Sequence, residues 1–301
     1  LSVTLDSGVT LESWTFRTSA GHRVAGYLTP ASGKPVLHFI HGNGYCGLVY
    51  EPLLSRLSLH YDLFISDIQG HGDSERNGAF LGWNRTAELC TEVWEHFRPR
   101  WAGVPVFGGG HSFGGVMTAL MMAQRPDLFS RSILLDPVLF SPNMVRVMML
   151  SDVVGLWRLN SMASRTRKRR DHWPDRQSAH DFFAGRGMFR GWEDQALWAY
   201  VNHAMREDRD GGVRLKCRPS LEAEIFSTFP KRLWRSLKRV STPTHVVYGD
   251  KSYDFVRESV PRWAAMNQAI STETLPGGHC FMQQDPDGAA EAVRASLERT
   301  G

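Results

Sequence analysis

Cysteine is scarce: Cys46, Cys90, Cys217 and Cys280 are the four in 301 residues, far apart and without a C-x-x-C pair. That spacing excludes a disulfide framework or a zinc ribbon, and the expectation is reduced thiols in a cytoplasmic protein. No run reaches the ~18 consecutive apolar residues of a membrane span. The first residues, Leu1 to Asp6, lack the charged-then-apolar layout of a signal peptide. The chain has no internal repeat, no low-complexity linker, no G-x-x-x-x-G-K-[ST] phosphate loop and no metal-ligand cluster, so neither a cofactor nor a metal is expected. Excess charge is slight, 35 Lys and Arg against 31 Asp and Glu for a net +4, which is weak ground for a nucleic-acid partner.

What is present is enough apolar material for a large core, 42% hydrophobic with 11% aromatic residues. Leu11 to Arg17 and Arg23 to Leu28 predict an antiparallel pair. Short apolar runs at 36–40, 61–66, 104–107 and 132–135 predict buried strands, separated by helical spacing at 48–59, 83–97 and 113–123. Strands alternating with helices imply an α/β fold, a mostly parallel sheet with helices on both faces. After Pro142 the alternation stops. It resumes with strands at 244–248 and 271–275 and a closing helix from Ala289 to Arg299. The expected organisation is a core of 1–141 with 241–301, interrupted by a helical lid at 142–240.

Within that insertion, Arg165 to Arg170 is a basic run with sparse aromatic interleaving, read as a solvated helix face. Met144, Met148, Met149, Trp157, Phe182, Phe183, Phe189, Trp192 and Trp198 supply apolar bulk. Helices of an insertion must bury a face against the core, so most of these are expected to be packing residues, with some free to line a pocket.

The most informative stretch is Gly110-His111-Ser112-Phe113-Gly114, between a predicted strand and a predicted helix. A serine on so tight a turn needs glycine two residues to either side, because a Cβ there collides with the neighbouring strand and helix. The turn lifts Oγ clear of the sheet beside the N-terminus of a helix, where free N–H groups can meet a developing oxyanion. Upstream, His41-Gly42-Asn43-Gly44 follows the strand 36–40, and the Asn43 N–H is the candidate second donor beside that of Phe113.

A serine hydroxyl needs a general base, and Pro276-Gly277-Gly278-His279 sets one histidine of twelve on a glycine loop after the last strand. Cys280 beside it is taken as structural. For the acid, the position three past Gly249 is Ser252, flanked by Asp250 and Asp254. The alternative is Asp136, at the C-terminal end of Ile133-Leu134-Leu135, where ligand-facing groups of open α/β sheets sit. Asp136 is placed first, with Asp254 and Asp250 as alternatives.

These residues resemble the α/β-hydrolase superfamily along almost the whole chain apart from the lid. G-x-S-x-G matches its nucleophile elbow, with the histidine C-terminal to the serine. Asp67-Ile68-Gln69-Gly70-His71-Gly72-Asp73-Ser74 is similar to its D-x-x-G-x-G-x-S loop, which shapes a turn, so His71 and Asp73 are given no catalytic part. An acid at Asp136 is similar to the bacterial esterase and phosphatase-methylesterase branches. The resemblance implies a Ser112–His279–Asp136 triad hydrolysing a carboxylic ester of a small acyl substrate with an apolar portion. Thioesters, lactones, amides and C–C bonds are cleaved with the same parts, and a silent ligand-binding scaffold is the alternative from another class.

Overall fold

The computed structural model describes residues 2–153 and 160–298; Trp157 and Arg299 lie outside them. In chain order the first half contains β1 (Ser2–Thr4), β2 (Thr10–Arg17), β3 (Arg23–Leu28), β4 (Val36–Ile40), α1 (Glu51–Ser58), β5 (Asp62–Asp67), α2 (Trp83–Phe97), β6 (Val106–His111), α3 (Phe113–Gln124) and β7 (Arg131–Leu135). Then come α4 (Pro142–Val153), α5 (Ser161–Arg167), β8 (His172–Trp173), α6 (Arg176–Phe183), α7 (Asp194–His203), β9 (Met205–Glu207), β10 (Val213–Leu215), α8 (Pro219–Phe226) and α9 (Leu233–Leu237). The chain closes with β11 (Thr244–Gly249), α10 (Asp254–Met266), β12 (Ile270–Leu275), α11 (Phe281–Gln284) and α12 (Pro286–Leu297).

One nine-stranded sheet runs β1-β2-β3-β5-β4-β6-β7-β11-β12. The pairs from β5 through β12 are parallel and those of β1, β2, β3 and β5 antiparallel. A parallel strand covered on both faces must be apolar throughout, and every residue of Val36–Ile40 is buried. Successive residues part to opposite sides: Val36, Ile40, Phe64 and Leu134 join one apolar cluster, and Leu37, Phe39, Ile65 and Leu135 the other. Helix α3 is buried from Phe113 through Ala123, the pattern of a helix enclosed on all sides.

Two expectations need correction. Strand β6 continues to His111 rather than stopping at Phe107. Its run of three glycines reads as a turn, but close approach demands them: a Cβ on Gly108 would lie 2.6 Å from the Phe129 ring, and one on Gly110 2.5 Å from the Gly114 backbone. The segment 142–240 is also not purely helical, because β8, β9 and β10 form their own three-stranded antiparallel sheet. Strands of two or three residues are too short for an alternating pattern to register. None of them joins the large sheet.

The register brings the chemistry to one edge. His111 pairs with Leu135, and Leu135 with Val247, so the strand ends of β6, β7 and β11 lie side by side.

Candidate active site

Ser112 occupies the single residue between β6 and α3 at φ 55 and ψ −117. A non-glycine residue there is strained by roughly 1–3 kcal/mol, and the surroundings hold it. Its N–H donates to the Leu135 carbonyl at 3.0 Å. A Cβ on Gly114 would lie 2.1 Å from the Ile40 carbonyl oxygen, so the first turn of α3 presses directly on the end of β4.

His279 reaches the serine from the loop after β12. Its Nε2 is 2.9 Å from Ser112 Oγ, and its Nδ1 is 2.7 Å from Asp136 Oδ1. A carboxylate accepts only, so the proton rides on Nδ1 and Nε2 is left to take the serine's. Asp136 is fully buried and follows β7 at φ 44. Its N–H donates to the Val247 carbonyl, Oδ2 accepts the Gly249 N–H at 2.8 Å, and Oδ1 accepts the Ser252 hydroxyl at 2.5 Å. Ser252, three residues past Gly249, thus donates to the carboxylate that follows the neighbouring strand β7. The two alternatives are elsewhere. Asp254 is exposed and pairs with Arg257, and Asp250 accepts the Gly277 N–H at 2.8 Å.

The loop after β4 is fixed group by group. His41 donates from Nδ1 to the Gly42 carbonyl and accepts the Ile68 N–H on Nε2. The Gly42 N–H goes to the Tyr50 hydroxyl at 3.0 Å, and the Gly44 N–H to His71 Nε2 at 3.0 Å. Between them, the Asn43 N–H has no protein acceptor among the described residues, and neither has the Phe113 N–H at the start of α3. Two free donors beside Ser112 are what an oxyanion needs. The Asn43 side chain is tied to the Glu222 carbonyl.

Burial keeps the supporting histidines neutral: His41 is pushed down to about 4, and His71 and His111 well below the usual range. A neutral His71 can accept the Gly44 N–H, which gives this histidine a positioning part. The Cys280 thiol is pushed up to about 12 by burial, so it is not a nucleophile at neutral pH.

Sequence reasoning missed two participants. His111 donates from Nε2 to the His279 carbonyl at 2.9 Å, and its Nδ1 accepts the Tyr50 hydroxyl at 2.6 Å. A polar residue at the buried end of a strand was a usable signal for His111; nothing in the sequence marked Tyr50. The basic run also departs from a uniformly solvated face. Arg165, Arg167, Lys168 and Arg170 are exposed, but Arg169, beyond the end of α5, turns in to pair with the buried Glu222 at 3.1 Å.

Above Ser112 lies a cavity of about 340 Å³ whose walls include Trp83, Phe140, Met144, Met148, Phe226 and Phe255. Among the described residues no Asp, Glu, Lys or Arg lines it. Of the apolar bulk in the insertion, Met144 and Met148 face this cavity, Met149 faces outward, and Phe182, Phe183, Phe189, Trp192 and Trp198 pack with the second cluster. Among the described residues no three His, Cys, Asp or Glu are grouped to hold a metal, and no helix is long and apolar enough to cross a membrane.

The family model described as "Alpha/beta hydrolase family" matches residues 39–292. The abhydrolase domain-containing protein AKT2 of Alternaria alternata is 33% identical over 236 residues, 65% of this chain and 84% of that protein. The monoglyceride lipase of Mus musculus is 32% identical over 121 residues, 38% of this chain and 39% of the lipase. Among solved structures, E-2-(acetamidomethylene)succinate hydrolase superposes with a TM-score of 0.77 at 18% identity, covering 96% of this chain and 100% of that one. The thioesterase domain from the curacin biosynthetic pathway reaches 0.74 at 19% identity, covering 95% and 99%.

Proposed function

The chain belongs to the alpha/beta hydrolase family, and on that premise we propose that it is a serine hydrolase cleaving an acyl bond, in the first instance a carboxylic ester. The observation that carries this is the unbroken line Ser112 Oγ, His279 Nε2, His279 Nδ1, Asp136 Oδ1, with contacts of 2.9 and 2.7 Å.

In the first half-reaction His279 Nε2 takes the Ser112 proton as Oγ bonds to the carbonyl carbon. The carbonyl oxygen gains the negative charge and is held by the Asn43 and Phe113 N–H groups. Collapse breaks the bond to the leaving group, which receives the proton from His279. In the second, His279 takes a proton from water as its oxygen attacks the acyl carbon, and the proton passes to Oγ as the acid leaves. Asp136 keeps the imidazole in the required tautomer and stabilises its cation.

The uncharged cavity supports an apolar acyl portion, with residues 142–240 acting as the lid that shapes it. Thioesters, lactones and amides use the same parts. A relative called monoglyceride lipase makes a fatty carboxylic ester the first class to try. The test is a fluorophosphonate probe together with a chain-length series of p-nitrophenyl esters. Labelling at Ser112 and ester turnover are expected. A Ser112→Ala protein that still hydrolyses the esters at near-normal rate overturns the proposal, since loss of the nucleophile should lower kcat by roughly 10⁴–10⁶.

A further inference from the structure

His279 is a wall of two spaces, not one. Besides the apolar cavity above Ser112, a second cleft of about 690 Å³ also has His279 in its wall, and among the described residues the two share Met188, Tyr253 and His279 alone. Met188 and Tyr253 are each 37% exposed, so the boundary between the spaces is open to solvent along its rim.

The two spaces differ in chemistry. Among the described residues the first has no charged wall residue of either sign. The second has Arg190 and Lys251 in its walls and no carboxylate. Neither cation makes an ion pair among the described residues. The adjacent Asp250 lines neither space, because its carboxylate is turned to the Gly277 N–H. Gly187, Gly191, Gly277 and Gly278 also line it.

The division between acyl and leaving group follows from which atoms line which space. Ser112, Asn43 and Phe113 line the apolar cavity alone, so the carbonyl and the chain attached to it belong there. The leaving heteroatom is the one that takes the proton from His279, and His279 is one of the three residues both spaces share. We propose that the second cleft is a leaving-group subsite, and that the substrate is an ester or thioester of an uncharged apolar acid with an alcohol or thiol carrying an anionic group, carboxylate or phosphate. This rests on the serine-hydrolase proposal and adds substrate class to it. The covalent steps are unchanged; the acyl–heteroatom bond breaks and the anionic alcohol or thiol departs with the His279 proton.

The experiment compares p-nitrophenyl hexanoate with its analogue bearing a carboxylate beside the nitro group, each kcat/KM normalised to spontaneous hydrolysis. A second pair, monohexanoylglycerol and its phosphate monoester, separates a preference for phosphate from one for carboxylate. The anionic member of at least one pair is expected to be preferred, with the preference falling as ionic strength rises. In an Arg190→Gln/Lys251→Gln protein the anionic-to-neutral ratio is expected to drop about three- to tenfold, the scale of two solvent-exposed charge pairs. The ratio normalises each protein to itself, so partial loss of folded material does not mimic the effect. Equal use of neutral and anionic esters in both pairs, with a ratio indifferent to the double substitution, overturns the subsite while leaving the hydrolase intact. Absence of any Ser112-dependent turnover of all four esters overturns the hydrolase proposal instead, and the subsite with it.

Discussion

The imidazole of His111 donates to the backbone carbonyl of His279 at 2.9 Å, tying the end of β6, one residue before Ser112, to the loop that carries His279. The proton inventory of this link closes. A carbonyl only accepts, so Nε2 of His111 holds the hydrogen and Nδ1 accepts from Tyr50, whose oxygen in turn accepts the Gly42 N–H. One chain of three hydrogen bonds therefore joins the loop beside the oxyanion donor to the loop of the base.

Tyr50→Phe is expected to leave the Gly42 N–H and His111 Nδ1 without partners, in a site too buried for easy rescue by water. Loss of one such hydrogen bond is on the order of 1–3 kcal/mol. Steady-state kinetics should show kcat reduced about tenfold with KM little changed, because Tyr50 contacts the positioning network and not the reacting atoms. A KM effect with normal kcat would contradict this role.

Asp136→Asn is expected to lower kcat by about 10⁴, through the wrong imidazole tautomer, with the protein still folded. Asp254→Asn, at an exposed side chain paired with Arg257 and away from Ser112 and His279, should change kcat less than twofold. Reversal of that order would transfer the acid to α10.

Acidification should destabilise the fold. Burial pushes His38 down to about 3 and His41 to about 4, with His71 and His111 also well below the usual range. Between the unfolded value near 6.5 and those folded values, the unfolded chain binds more protons, so stability falls as pH falls. Each such histidine contributes roughly 1 kcal/mol per pH unit in that window. Asp67, raised by burial to about 7, opposes them, since folded protein then holds a proton that the unfolded chain releases above its lower pKa. Glu222, also raised by burial, acts in the same sense as Asp67, and the four histidines outweigh these two carboxyls. Urea midpoints should drop from pH 7 to pH 5, and a midpoint that rises would refute the balance.

Gly114→Ala is expected to abolish the soluble fold or remove more than about 4 kcal/mol, since a backbone oxygen 2.1 Å from the new methyl cannot move aside. Gly278→Ala is the contrast. Its nearest neighbour would be the flexible Gln284 side chain at 3.7 Å, and thermal unfolding should change little.

Much of the fold is legible because buried parallel strands leave unmistakable short apolar runs, as at 36–40, and because Ser112 cannot take its backbone conformation without its glycines. Asp136 is legible at the end of a core strand, and His279 on the glycine loop that follows the last strand. What is not legible depends on neighbours distant in sequence. The glycines at 108–110 look like a turn until the Phe129 ring and α3 are seen against them. Tyr50 becomes informative only beside His111, 61 residues away. Strands β8 to β10 are too brief for periodicity, and Arg169 is indistinguishable in sequence from its exposed neighbours.

The lodging of the acid on β7 has a consequence for how this protein can change over generations. The loop that follows β11 contributes to the charged line through the Ser252 hydroxyl, while Lys251 lines the cleft beside His279 and Tyr253 lines both spaces. Bond-breaking and partner choice are thereby written in different stretches of the gene. On the proposed function, mutation can rewrite Lys251 without touching Ser112, His279 or Asp136, which makes that position, rather than Ser252, the place where close descendants should diverge first.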